Sequence, residues 1–274
     1  MESAYENPAS LDKTNPDRHR DTGICSVEGL AADKSRPGAA PEAHTPLQAP
    51  FQNMTGVELF TKLLQHNRVR EIPLQRYSAE RRYDDASDKG KVYAEEVVRV
   101  EYQAPGHKTF VTESEKGSTL VRDLVLKPLI ESESETTSGR AHRDSSIGTL
   151  NYELNLLGTQ DVGRYHCLVV NAHPRWSDKY LFEGKVWIDA EDYAIVRIAG
   201  HPARSLSFWI TRADFVRQYQ KIGEHWLPAR DETFVYLRLY GEKTLAIDHH
   251  DYAINGGIAQ SAQDLADEKA ASLP

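Results

Sequence analysis

The sequence predicts a mainly β (α+β) chain, a strongly curved antiparallel half-barrel with two helices covering its concave face. Three observations predict it. From Lys179 to Gly256 the chain reads as long strands joined by short turns, with almost no helix-forming interval. Those strands exceed the usual length of about five or six residues, and long strands in an antiparallel meander curve toward a partial barrel. Thirteen Tyr and four Trp stand against two Met, and aromatic residues favour strands.

Taken in order, residues 1–52 are rich in Pro, Ala, Asp, Ser and Arg and poor in large apolar residues. Such a segment buries too little surface to offset its ordering entropy and is expected to be disordered. A folded domain is expected over 53–256, followed by a polar tail over 257–274. Thr55-Gly56-Val57-Glu58 fits a capping box, and Val57, Phe60, Leu63 and Leu64 follow helical spacing. This first helix is expected to end near His66 or Asn67, before Pro73 bars its continuation. Three strands follow. Leu74 to Asp84 carries Tyr77, Ala79 and Tyr83 on one parity. Val92 to Tyr102 carries Val92, Ala94, Val98, Val100 and Tyr102, and His107 to Glu113 is shorter. A second helix starts at Ser118, with Leu120, Leu124 and Leu129 on a wide apolar face and Pro128 as a kink. Glu131 to Ile147 is a polar loop.

From Thr149 onward the period returns to two. Leu150, Tyr152, Leu154 and Leu156 share one parity, as do Tyr180, Phe182, Val186 and Ile188. Gly158 to Gly163, Pro174 to Asp178, Asp189 to Asp192 and Gly200 to Pro202 are turn clusters. Ser207 to Lys221, Trp226 to Tyr240 and Thr244 to Ile254 complete the strands. Several are apolar on both faces. Such a sheet is either covered by helices or encloses an apolar ligand, which makes a lipid carrier one reading and a filled core the other.

Composition removes some classes. A formal charge of −8 argues against a broad nucleic-acid partner. Two cysteines, Cys25 and Cys167, exclude a disulfide framework. No run approaches the roughly 20 apolar residues of a membrane span, and the N-terminus shows no charged-then-apolar signal peptide pattern. Catalytic signals are weak, so no enzyme, cofactor or metal is expected. Asp248-His249-His250-Asp251 is the densest ligand set, but strand neighbours point to opposite faces. Glu183, Asp189, Glu191 and Asp192 read as turn and surface carboxylates. Arg122, Lys127 and the Arg81-Arg82 pair read as a solvated charged face, with an anionic head group as the alternative.

The stretches LLGTQDVGRYHCLVV, DKYLFEGKVWIDAEDYAIVRIAGHPA, SFWITRADFVRQYQKIGEHWLPA and IDHHDYAIN resemble the outer-membrane lipoprotein-sorting family, with its LolA/LolB-like fold. The resemblance covers about residues 53 to 256 and is densest from Asn151 onward. It implies a periplasmic, monomeric, non-catalytic protein that holds lipid or lipoprotein acyl chains between a curved sheet and a helical lid. Reversible opening of the lid would be the mechanism, and an envelope protein a possible partner. It implies lid residues Leu120, Leu124 and Leu129. The sheet residues, assigned by alternation, are Val98, Val100, Tyr102, Leu154, Leu156, Phe182, Val186, Ile188, Phe208, Ile210, Val235 and Leu237. The family's sheet arginine matches no single position, with Arg76, Arg81, Arg82 and Arg99 all open. The missing export pattern leaves a cytoplasmic location as the alternative to the periplasm. The functional alternative is a structural or interaction module of the envelope with a filled core and no ligand. A hydrolase built on the Asp248 to Asp251 run is the third class, and it requires at least three of those groups to converge.

Overall fold

The computed structural model describes residues 44–87, 92–104, 107–119, 147–178, 180–204, 208, 210–238 and 241–258. The capping box forms as its spacing demands. The Thr55 backbone N–H donates to Glu58 Oε2 at 2.8 Å, and the Glu58 N–H donates to Thr55 Oγ1 at 3.2 Å. The bond from the Thr55 N–H foremost, and after it the Thr55 hydroxyl donating to the same Oε2 at 3.0 Å, hold the Glu58 carboxyl below its ordinary value. The helix they start, α1, spans Gly56–Glu71, one turn longer than the apolar spacing indicates. Arg70 accounts for the extra turn: its guanidinium donates to the carbonyls of Asp192 and Tyr193 at 2.7 and 3.2 Å. Arg68 and Arg70 also place positive charge at the helix C-terminus, where the macrodipole favours it. Among the described residues no helix is long and apolar enough to cross a membrane.

Eleven strands follow: β1 Arg76–Ser87, β2 Val92–Gln103, β3 His107–Gly117, β4 Tyr152–Val162, β5 Tyr165–Pro174, β6 Phe182–Asp189, β7 Ile195–Pro202, β8 Ile210–Ile222, β9 His225–Leu237, β10 Gly241–Ile254 and β11 Gly257–Ile258. Ten lie on one antiparallel path, β3-β2-β1-β10-β9-β8-β7-β6-β5-β4, with β11 added beside β10. The end strands β3 and β4 do not pair, so the sheet is open and not a closed barrel. Among the described residues α1 is the one helix of more than a single residue; Thr119 is also helical. The expected second helix lies, from Leu120 onward, outside the described residues.

One expected turn cluster, and all but the last residue of another, are parts of strands. Gly200 to Pro202 belongs to β7, where Gly200 stands opposite Gly184 of β6. A Cβ at Gly184 would come 2.1 Å from the Ala199 carbonyl oxygen and 2.6 Å from Gly200 Cα. The glycines therefore serve a close strand approach. Gly158 lies within β4 at a register shift, and a Cβ there would come 2.3 Å from the Thr45 carbonyl oxygen. The real β4–β5 turn is at Gly163, with φ 57°. Thr45 pairs with Thr159 through backbone bonds of 3.0 and 2.8 Å, and Leu47 and Phe51 pack on the core. These contacts lie N-terminal of the expected domain start at Asn53. β3 also runs on to Gly117, beyond Glu113, as an exposed polar edge.

The main core lies between α1 and the β4–β7 part of the sheet. Leu59, Phe60 and Leu63 meet Tyr152, Leu168, Val170, Val186 and Ile188, all within 2% of full burial. The other face carries a second cluster of Cys167, Val169, Trp187 and Val196. β5 is therefore buried on both faces, as its apolar run requires. Burial pushes the Cys167 thiol up to about 12, so it acts as a small hydrophobe.

β1 and β10 are joined by no turn. Asn255, just past β10, accepts from the N–H groups of Gln75 and Arg76 at 3.0 and 3.1 Å and donates to the Pro73 carbonyl at 2.8 Å.

Candidate functional site

Register partners share a sheet face, so one row of partners traces the helix-side face across eight strands. It runs Val170, Val186, Ile198, Arg217, Asp231, Ile247, Tyr83 and Glu96. The first three lie in the cluster under α1. The last three belong to a separate region on β10, β1 and β2, where Tyr83, Ala94 and Val98 form a buried apolar patch with Phe110, Leu245 and Ile247 packed against it. This region is the candidate site.

The patch is apolar at its centre and holds a few buried polar groups. Val98 and Val100 are fully buried. Arg81 donates to the Tyr83 hydroxyl at 3.4 Å and lies 5.5 Å from the Phe110 ring centroid. Of the four arginines that the sequence leaves open, Arg81 is the buried one. Glu96 Oε1 accepts from Thr112 Oγ1 at 2.9 Å. Its Oε2 is buried and has no hydrogen-bond partner. His249 sits 3.3 Å from Asp231 through Nε2. A few placed polar groups in an apolar surface are what orient a small ligand.

Asp85 stands at the rim of the patch, and burial raises its carboxyl above the ordinary value against the pull of Lys243. A raised carboxylate penalises the folded state while it is charged, and that penalty shrinks as pH falls through the folded value and is gone below the ordinary one. Asp85→Asn is therefore expected to raise the urea midpoint at pH 7, with the gain shrinking toward pH 4. A gain equal at both pH values would overturn this.

The predicted residues divide. Val98 lies in the patch, and Val100 is buried on the same face of β2 outside that cluster. Leu154, Phe182, Val186 and Ile188, with Leu156 partly buried, lie in the α1 cluster, filled by the protein's own side chains. Tyr102 stacks on Tyr77 with centroids 5.0 Å apart. Ile210 and Val235 are half-buried. Phe208 precedes β8, is 72% exposed and lies under the Arg238 guanidinium, so it does not join the face. Leu237 is described through its backbone pairing alone. Leu120, Leu124 and Leu129 lie outside the described residues. Arg81 is among the arginines that the sequence leaves open and His249 lies in its densest ligand run, but neither is expected in an apolar site, and Glu96 is not singled out. Arg81 and Glu96 share the parity of Tyr83 and Val98, which was the available signal.

Of the Asp248 to Asp251 run only His250 and Asp251 come together, beside Glu80, fewer than the three the hydrolase reading requires. Asp248 pairs with Arg230, His249 turns to Asp231 and His250 to Glu80. Two of the turn carboxylates, Asp189 and Asp192, are also occupied. Asp189 caps the Asp192 N–H at 2.8 Å. Burial pushes the Asp192 carboxyl up, but Lys221 at 2.7 Å and the Trp226 indole at 3.0 Å outweigh it and hold the group below its ordinary value. Ile210 lines a surface groove of about 430 Å³ and Tyr102 one of about 900 Å³, and neither groove is lined by Tyr83, Val98 or Val100.

No protein-family model and no curated protein matches the chain. Among solved structures it is similar to a domain provisionally assigned to outer membrane lipoprotein sorting from Vibrio parahaemolyticus, at 12% identity and TM-score 0.44, over 76% of this chain and 96% of that one. It is similar to a LolA superfamily protein from Nitrosomonas europaea at 12% identity and TM-score 0.37, over 73% and 94%. It is also similar to the Pseudomonas aeruginosa MucA/MucB complex at 10% identity and TM-score 0.26, over 73% and 99%. At these identities and TM-scores the likeness carries no functional inference.

Proposed function

We propose that this chain is a non-catalytic, monomeric binder of lipid or lipoprotein acyl chains in the periplasm, with residues 53–256 as its working unit. The observation that carries the reading is the patch on β10, β1 and β2. It continues the face covered by α1, lies beyond the α1 cluster, and combines an apolar floor with a few buried polar groups. Topology supports a lid over it. β3 and β4 are consecutive in sequence yet occupy opposite edges of the sheet, so the chain between Gly117 and Tyr152 travels from one edge to the other. In this reading the segment with Leu120, Leu124 and Leu129 crosses the patch and acyl chains enter beneath it. Each buried CH2 contributes about 0.8 kcal/mol, so a chain of modest length binds without any catalytic group.

The full burial of Val98 and Val100 favours the second reading, a filled envelope module that takes no ligand. Native mass spectrometry of the full chain with an added acylated peptide separates the two. The carrier reading expects one peptide per chain, bound at least about tenfold more weakly by Val98→Glu or Leu124→Glu variants that keep the wild-type circular dichroism, a loss of about 1.4 kcal/mol. A wild-type chain that takes up no acyl peptide sinks the carrier reading.

A further inference from the structure

The opposite face of β1 and β10 carries a group with a different chemistry. We propose that Glu80, His250 and Asp251 form a binding site for a divalent transition-metal ion of the zinc class, held across β1 and β10.

In a regular strand His250 and Asp251 point to opposite faces. β10 is not regular here. Its register with β1 shifts between the pairs Ser78↔Ala253 and Glu80↔His250, leaving two residues of β10 opposite one of β1. Asp251 is one of the two and takes φ 53°, a left-handed conformation that Asp adopts more readily than most residues. A bulge re-aims the side chains beside it. As a result, one ligand atom from each of Glu80, His250 and Asp251 lies within 4.8 Å of the other two. Among the described residues this is the one set of three such groups. The other histidine–carboxylate pairs, such as His173 with Glu183 at 3.0 Å, have two members each.

The distances suit an ion. His250 Nε2 lies 2.9 Å from Glu80 Oε1. Two ligands about 2.1 Å from a tetrahedral zinc stand about 3.4 Å apart, so this pair opens by a few tenths of an ångström to admit one. Asp251 is exposed and closes by side-chain rotation. One imidazole and two carboxylates match the donor preference of zinc-class ions and leave a fourth position for water. Arg82, the nearest cation on that face of β1, stands beside Asp84 and Glu95, whose carboxylates offset its charge. The proposal is independent of the acyl-binding reading.

The test is titration of Zn2+ into the full chain against a chromophoric competitor. One competing site per chain is expected, weakened at least tenfold by His250→Ala and by Asp251→Asn and unchanged by His173→Ala. Asn also accepts a left-handed backbone, so Asp251→Asn preserves the bulge if His250→Ala fails to fold. Zn2+ is also expected to raise the wild-type melting temperature and not that of Asp251→Asn, because a ligand stabilises the state that binds it. Absence of a stoichiometric site overturns the proposal, as does a site that survives in the folded variants.

Discussion

Replacing Phe60 with alanine is expected to lower the free energy of unfolding by about 3–5 kcal/mol, read from the urea midpoint. Phe60 is 1% exposed and packs in the cluster between α1 and β4–β7. The size of the loss depends on whether the hole can close. Closure requires α1 to move toward the sheet, and its first turn has no room to do so. A Cβ at Gly56 would already lie 2.2 Å from the Leu154 carbonyl oxygen, so helix and strand backbones touch there. The cavity therefore persists, which places the loss in the upper part of the range. Against a total stability of about 5–15 kcal/mol, one substitution removes a large share. Leu64→Ala is the control, because Leu64 is 46% exposed. A loss below about 1 kcal/mol for Phe60→Ala would show that α1 is loosely seated.

Gly184→Ala is the second large effect, at about 2–3 kcal/mol. The added Cβ meets the Ala199 carbonyl and Gly200 Cα of the neighbouring strand. Both are backbone atoms in a central pair and cannot rotate aside, so β6 and β7 must separate locally and lengthen their ladder bonds. The comparison is Gly148→Ala, where a Cβ has nothing within 4 Å. Equal midpoints for the two variants would contradict the close approach of β6 and β7.

Much of the fold was legible because its periods were clean. The Thr55 capping box and the alternation in Val92 to Tyr102 rest on local chemistry, and both formed where the sequence placed them. The errors came from residues whose role is set by distant neighbours. Gly158 and Gly200 read as turn signals because glycine is usually a breaker. Here each admits another backbone, from Thr45 and from Glu183, which no local window reveals. The candidate site was half legible. Val98 and Val100 follow from parity and Arg81 is one of four arginines the sequence leaves open, whereas Glu96 gives no sign of its place because charged residues are rarely buried. Asp251 joined His250 against the rule of alternation because a single bulge reverses that rule locally.

Asn255 bears on how the chain avoids mispairing. Every other neighbouring pair on the sheet path is consecutive in sequence, so a hairpin sets its alignment. β1 and β10 meet across 170 residues at Glu80 and His250, and no turn length dictates which rung meets which. A slip by one residue would exchange the two faces of the β1–β3 arm, sending Tyr83 and Val98 outward and Arg82 and Glu95 inward. Asn255 grips three backbone groups over Pro73 to Arg76 at once, and a slipped strand would offer it a different set. It acts as an indexing pin, adding to the buried apolar pattern of Tyr83 and Val98 in deciding which face becomes the interior.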